Sequence, residues 1–517
     1  MIPWTVVGVA VATAALAAVL LAYLGTWPQH EDETLALFVA RDSLPGVLHS
    51  VIVERGGAPL HFVFAWAVVQ LGGGLTALRL VSLVFAVASI PAIAALGARL
   101  ADRVTGLAAA VLASGTWVVL FHGIYGRMYS LFLFTSVLAV IAMLDALALG
   151  GRRRFLCWGI CLWLLLAAHP YGVLVLGAQA VYVAIVRTRL RPAVATFLAV
   201  AVAAVPFWYA DVVLRNRFEV GVGGGGAQLG SPGAVAHYFW WVSGEMAAGH
   251  HAWSTPVLLL ALAGAIVLAR SRPLSLVLTG CMLVVPATAF VLARLHSTAS
   301  PEARHLIFAL PFFSTLLAVP LVRAARLRPP LTTAAALVAI TALVAGEVRW
   351  AHRKTPPLFD GDRPGESAAR DAAATWLAAG RRTDDVLLGY EPVYLRAWEQ
   401  DRSFSRLALP RADAKLLAQA LRDIPEPLGR GVWVFDASDT TNVRERQTIR
   451  FALPGPSKAF EGRAFGPYLV IRSREPLRTR TEFVDVSKRV MRLGVRLGIG
   501  DADINLRSLL IAQSRFL

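Results

Sequence analysis

WTVVGVAVATAALAAVLLAYLGT, residues 4–26, carries no charged side chain, yet the stretch that follows it, Trp27-Pro-Gln-His-Glu-Asp-Glu33, holds three consecutive carboxylates. An uncharged run of this length matches the roughly 20 apolar residues a helix needs to cross a bilayer. It has no basic n-region and no convincing small-residue cleavage site, so it reads as a retained first span rather than a signal peptide. Runs of similar length recur along the first 350 positions, which makes the chain a polytopic α-helical membrane protein.

Composition agrees. Of 517 residues, 56% are hydrophobic and only 16% charged, with a mean hydropathy of +0.59. Soluble domains carry about 25% charged residues, so an ordinary soluble enzyme, a disordered chain and a coiled coil are all excluded. Only 12 of the 33 acidic residues fall in residues 1–350, and the remaining 21 lie in the last 167. Two modules are expected: a membrane part, 1–350, and an extracytoplasmic α/β domain, 351–517. The net charge of +17 is explained by arginine collecting in cytoplasmic loops, and no nucleic-acid partner is implied. Cys157, Cys161 and Cys281 lie in apolar runs and form neither a disulfide framework nor a metal-binding spacing.

The arginines set the topology. Basic clusters at Arg99–Arg103, Arg152–Arg154, Arg187–Arg191, Arg270–Arg272 and Arg323–Arg328 each separate two apolar runs. Placing all five in the cytoplasm threads the chain as eleven spans: 4–26, 79–99, 105–124, 129–149, 155–170, 172–187, 193–213, 254–270, 273–294, 305–323 and 331–349. The N-terminus is then cytoplasmic, and everything after Trp350 lies outside the plasma membrane (the inner membrane, where a cell has two). Pro59–Leu71 is too short to span and reads as a helix in the outer leaflet. The outside receives loop 27–78, the turns at Tyr125–Tyr129 and His169–Gly172, and loops 214–253 and 295–304. Gly223–Gly226 lacks the strand, helix and Lys-Ser/Thr of a phosphate-binding loop and reads as a flexible stretch.

Several polar groups sit on that outer side. His30, Glu31, Asp32 and Glu33 follow the first span directly. Asp32 suits either an N-cap for a helix over 33–41 or a general base whose pKa is raised by like charges and partial desolvation. Arg79 and Arg127 lie at outer span ends, against the positive-inside bias, with Tyr125 and Tyr129 beside Arg127. They suit snorkelling or a fork of donors for a lipid-linked phosphate. His169, Tyr171, Arg304 and His305 add polar groups on the same side. Together they describe a transferase that uses a phosphate-activated lipid donor, with a base for an acceptor hydroxyl and arginines for the departing phosphate.

These segments resemble those of GT-C-type glycosyltransferases, the clan of protein O-mannosyltransferases and related bacterial enzymes. His30-Glu31-Asp32-Glu33 is similar to the clan's H-x-D-E signature. Ala58-Pro59-Leu60-His61 resembles its P-P-L-Y segment, and Ala77-Leu78-Arg79-Leu80-Val81-Ser82 its A-L-R-L-P-S stretch. Arg127-Met128-Tyr129-Ser130-Leu131, His169-Pro170-Tyr171-Gly172 and Pro301-Glu302-Ala303-Arg304-His305-Leu306 resemble A-R-x-Y-S-L, H-Y-Y-G and P-x-x-R-Y-L. The six matches occur in the clan's order.

The resemblance implies Asp32 as catalytic base with Glu33 supporting it. It implies Arg79, Arg127 and Arg304 as holders of the donor phosphate. It also implies substrate contacts from His30, Glu54, His61, Tyr129, His169, Tyr171 and His305. Clan donors are polyprenyl-phosphate sugars, acceptors are hydroxyls of envelope glycans, lipids or proteins, and products usually have inverted anomeric configuration. Ala58, His61 and His305 depart from the pattern and leave the acceptor open. The clan includes metal-independent members, so neither metal nor cofactor is assigned.

The last 167 residues read as alternating helices and strands after a linker at Lys354–Pro357 and Asp360–Gly365. Helices are expected at Ala368–Ala379 and Ala412–Leu421, and strands at Asp385–Gly389, Gly431–Phe435 and Pro467–Ile471. Glu391 and Asp436 end strands. The tail, Val484–Leu517, suits either a membrane surface or packing on the domain. The rival readings are a transporter and a non-catalytic scaffold. A transporter usually carries mid-membrane charges or internal repeats, which this sequence lacks; a scaffold has no need of His30–Glu33.

Overall fold

The computed structural model describes residues 3–218, 229–247, 253–293, 303–327, 330–437 and 459–515. Gly223–Gly226 and Pro301-Glu302 lie outside the described residues.

Among the described residues seven helices are individually long and apolar enough to cross a bilayer: Trp4–Ala22, Leu75–Leu100, Tyr129–Leu149, Ser254–Ser271, Pro273–Leu292, Ala303–Leu327 and Leu331–Lys354. Two bent pairs raise the number to nine. Helices Arg152–Ala168 and Gly172–Val186 occupy the two remaining expected positions, but at 17 and 15 residues they are shorter than a full span. The rim helices bury little of themselves: 17% of the apolar window in Trp4–Ala22 and 11% in Leu331–Lys354. Val7, Val11, Leu198, Val202, Leu337 and Val338 are left exposed. Water penalises such a surface and lipid does not, so the chain is a multi-pass membrane protein.

Two expected continuous spans are broken. Arg103–Ser114 meets Trp117–Ile124 at 62°, and Leu190–Ala203 meets Val205–Asn216 at 59°. At the first break Thr116 caps the second helix, its side chain accepting from the Val119 amide, while Glu347 Oε2 accepts from the Trp117 amide at 3.0 Å. Amides freed by the bend are thereby satisfied inside the bundle. At the second break Pro206 cannot supply the amide that would continue the first helix.

Pro59–Leu71 forms the helix Leu60–Gln70, and the acidic stretch forms the helix Glu31–Val39. The latter begins two residues earlier than expected because His30, not Asp32, caps it. His30 Nδ1 accepts from the Asp32 amide at 3.2 Å, and Glu33 Oε2 accepts from the His30 amide at 3.2 Å, a reciprocal capping box.

Among the described residues the C-terminal domain holds a five-stranded mixed sheet in the order β2-β1-β3-β5-β4. Strands β1 (Val386–Leu388), β2 (Leu407–Leu409) and β3 (Gly431–Asp436) are parallel, and β4 (Phe460–Phe465) and β5 (Tyr468–Ser473) complete it antiparallel. β2, β4 and the helix Pro392–Gln400 were not expected: β2 is three residues long, and β4 is a half-exposed edge without an apolar run. The tail forms the helices Arg480–Arg496 and Gly500–Arg515. Phe483, Val486, Val490 and Met491 from the first pack with Trp433 and Phe435 of β3, so the tail belongs to the domain. A further apolar cluster joins Ala36, Leu37 and Phe38 of the acidic helix to Tyr394 and Trp398 of the domain.

Candidate active site

Three consecutive carboxylates at a helix start cannot face one partner, because successive side chains turn by about 100°. Glu31, Asp32 and Glu33 accordingly point three ways.

Glu33 turns into the bundle and is fully buried. Its Oε1 accepts from Arg79 Nε and from the Gly126 amide, both at 2.8 Å, and its Oε2 accepts from Arg79 Nη2 at 2.7 Å. Arg79 also donates through Nη1 to the carbonyls of Trp27 (2.7 Å) and Leu24 (3.4 Å) and through Nη2 to that of Pro28 (2.9 Å). All five of its N–H donors are thus engaged. Arg79 fastens the acidic helix to the helix Leu75–Leu100 through these contacts.

Asp32 turns toward the tip of the helix Trp117–Ile124, and its side chain is 35% exposed. Arg127 Nη1 lies 3.0 Å from Oδ1, and the Tyr125 hydroxyl donates to Oδ2 at 3.0 Å. That hydroxyl is also 2.8 Å from His30 Nδ1, so His30 and Asp32 share it. The expected raised pKa is not found. Burial pushes the carboxyl up, but Arg127, His30, Tyr125 and Arg304 together outweigh it and hold Asp32 below its ordinary value of 3.8. The carboxylate is ionised at neutral pH and reachable from solvent, which are the two conditions for accepting a proton.

Around this pair the distant segments converge. Arg304 lies over the Tyr129 ring, 5.7 Å from its centroid. The rings of His169 and His305 lie 5.5 and 6.1 Å from that of Tyr129, and Tyr171 contacts both histidines. His169 stacks on Phe132 at 4.5 Å, and its Nδ1 accepts from the Tyr171 amide at 3.1 Å. His61 is buried, within electrostatic reach of Asp32 and Arg127, and its Nε2 has no hydrogen-bond partner among the described residues. The buried Nε of Arg127 likewise has no acceptor there. Glu54 stands apart: it pairs with His49 at 3.7 Å, and no contact among the described residues joins it to Asp32.

Sequence reasoning missed His122. It is fully buried, its ring lies 4.4 Å from that of Tyr129, and neither ring nitrogen has a partner among the described residues. The available signal was its spacing, three residues before Tyr125, the residue that caps the short helix Trp117–Ile124. Among the described residues no group of three His, Cys, Asp or Glu side chains is placed to hold a metal ion.

Beside Arg304 and His305 the bundle opens into an apolar cavity of about 490 Å³, lined by Phe239, Met246, Met282, Leu306 and Phe308 among others. The site therefore has an ionised carboxylate, a cation in contact with it and a second within electrostatic reach, with an apolar cavity lined in part by Leu306, next to the second cation's own segment.

No family model matches the chain, and no curated protein matches it. Solved structures do. The chain is similar to ArnT from Cupriavidus metallidurans bound to undecaprenyl phosphate, with a TM-score of 0.59 at 13% identity, covering 91% of this chain and 98% of that one. It is similar to the apo oligosaccharyltransferase of Archaeoglobus fulgidus, with a TM-score of 0.54 at 11% identity over 89% of this chain and 73% of that one. The oligosaccharyltransferase AglB of that organism, in complex with an inhibitory peptide and a dolichol-phosphate, gives 0.51 at 10% identity, covering 84% and 70%. The chain has the fold of the GT-C membrane glycosyltransferases.

Proposed function

We propose that the chain is a glycosyltransferase that moves a sugar from a polyprenyl-phosphate donor to a hydroxyl acceptor of an envelope glycan, lipid or protein. Residues 1–350 form its membrane module in the plasma membrane, with the N-terminus cytoplasmic, and residues 351–517 an extracytoplasmic domain. The observation that carries this reading is the 3.0 Å pairing of a solvent-reachable Asp32 with Arg127, which has a buried donor to spare. Similarity to structures that hold undecaprenyl phosphate and dolichol-phosphate supports the donor class.

In this reading the acceptor hydroxyl gives its proton to Asp32 as its oxygen bonds to the anomeric carbon. The bond from that carbon to the phosphate oxygen breaks, and the electron pair leaves with the phosphate. Arg127 and Arg304 hold that growing negative charge in a site of low dielectric, where fixed cations act more strongly than in water. The polyprenyl tail takes the apolar cavity beside Arg304. His122, His169 and His305 pack around Tyr129 and His61 lies within electrostatic reach of Arg127, and their ring nitrogens are able to hydrogen-bond sugar or phosphate oxygens.

The test is transfer by purified protein in lipid nanodiscs, followed as release of undecaprenyl phosphate from a labelled sugar donor. Arg127→Ala removes a charge-assisted contact of about 1.5–3 kcal/mol, so kcat/KM for the donor falls about 10- to 150-fold. Unchanged donor kinetics in that variant reject the phosphate role of Arg127.

The depressed pKa of Asp32 fixes a pH profile. The base form, and the stability that its ion pair contributes, are both present above the unfolded value and are lost as pH falls through the lower folded value. The acid limb of kcat/KM that belongs to Asp32 therefore lies below the ordinary value of 3.8. A limb near pH 6 that persists in His30→Gln contradicts the assignment.

A further inference from the structure

The third carboxylate, Glu31, turns away from both the bundle and Asp32, toward the C-terminal domain. Its Oε2 accepts from Arg411 Nη2 at 2.7 Å. Arg411 is mostly buried, and its other contacts are Asp501 at 2.9 Å and Glu391. It lies just past the carboxyl end of β2, Glu391 just past that of β1, and Asp501 in the first turn of the last helix. One guanidinium thus gathers three carboxylates, two from the domain and one from the acidic helix.

The other end of the acidic helix is held by the segment that precedes β2. Arg41, 8% exposed, donates through Nη1 to the Ser405 carbonyl at 2.9 Å and through Nη2 to the Phe404 carbonyl at 2.6 Å. The two flanks of one three-residue strand therefore grip both ends of a nine-residue helix. Between the grips, Phe38 packs against Trp398 with ring centroids 6.4 Å apart. Asp32 is the second residue of that helix, one position from the Glu31 grip.

We propose that the C-terminal domain braces the acidic helix, and that Arg411 is a positioning residue that sets the orientation of Asp32 through Glu31. The physical reason lies in the charge count. With Arg411 in place its single positive charge screens three neighbouring carboxylates from one another. Without it Glu31 faces Glu391 and Asp501 as a like charge and is pushed away, turning the first turn of the helix and Asp32 with it. Displacing a catalytic group by about 1 Å costs on the order of 100-fold in rate.

This inference rests on the reading of Asp32 as the base, so its test has an arm that does not depend on catalysis. Arg411→Gln is compared with Arg411→Lys, Glu31→Gln and the double variant, with wild type in parallel. Expected in Arg411→Gln are a kcat lower by about 10- to 100-fold, an unchanged donor KM, and amide exchange in residues 31–36 faster by a similar factor. The exchange of Tyr129–Leu149 stays as in wild type. Arg411→Lys, which keeps the charge, recovers part of kcat. Glu31→Gln removes the repelled charge, so the double variant is no worse than Arg411→Gln alone. Wild-type exchange in residues 31–36 of Arg411→Gln overturns the brace. If wild type transfers no sugar while exchange still rises, the glycosyltransferase reading falls and the brace stands.

Discussion

Asp32→Asn lowers kcat by about 10²- to 10⁴-fold, the range that a positioned general base contributes, and leaves donor binding close to wild type. The asparagine amide nearly matches the carboxylate in volume and keeps one oxygen, which accepts from either Arg127 or Tyr125, the two donors that bond different oxygens of Asp32. What it lacks is the ability to take a proton. The loss therefore appears in kcat, because the missing interaction is made only as the acceptor hydroxyl ionises. The measurement is turnover under saturating donor in nanodiscs, with folding checked by size-exclusion profile and melting. Turnover within a few-fold of wild type means that another group takes the proton, and the site as drawn here fails.

Arg79→Ala has the largest expected effect on stability. Removing the guanidinium strands Glu33, a fully buried carboxylate, and three backbone carbonyls that Arg79 now satisfies. Breaking a buried ion pair by deleting one partner costs about 3–5 kcal/mol. Glu33→Gln in the same chain removes the stranded charge and restores part of the loss, because the pair is strongly coupled. Thermal inactivation in nanodiscs reads the effect as a shorter half-life for Arg79→Ala and a partial recovery in the double variant. A folded, normally stable Arg79→Ala with a raised donor KM assigns Arg79 to phosphate binding instead.

The two arginines show how far the sequence could be read. Arg79 and Arg127 look alike along the chain: both stand at span ends beside apolar runs. Their different uses follow from the helical phase of Glu31–Glu33, which sends Glu33 inward to Arg79 and leaves Asp32 to Arg127. Phase is legible only once the helix start is known, and that start was misread because His30 caps it in place of Asp32. The apolar runs were legible because length and lack of charge suffice to identify them. The breaks at Thr116 and Pro206 were not, since an apolar run reads the same whether straight or bent.

His122 was hidden for a related reason. It is a single polar residue inside an apolar segment, and only the fold brings the Tyr129 ring against it. His169, Arg304 and His305 were singled out through short segments that resemble other proteins, and they meet around Tyr129 in space. The pKa of Asp32 went the other way from expectation because its like-charged neighbours are both neutralised elsewhere, Glu31 by Arg411 and Glu33 by Arg79. The charges that remain near Asp32 are positive.

The measurement that bears most directly on this account is a structure of the protein in a lipid bilayer with bound undecaprenyl phosphate. The phosphate is expected within about 3 Å of Arg127 and Arg304 donors, its tail in the cavity lined by Phe239, Met282 and Phe308, and Asp32 on the water-exposed side of the phosphate. A phosphate bound away from both arginines, or a bilayer boundary that leaves Asp32 and the cavity mouth on opposite faces, contradicts it.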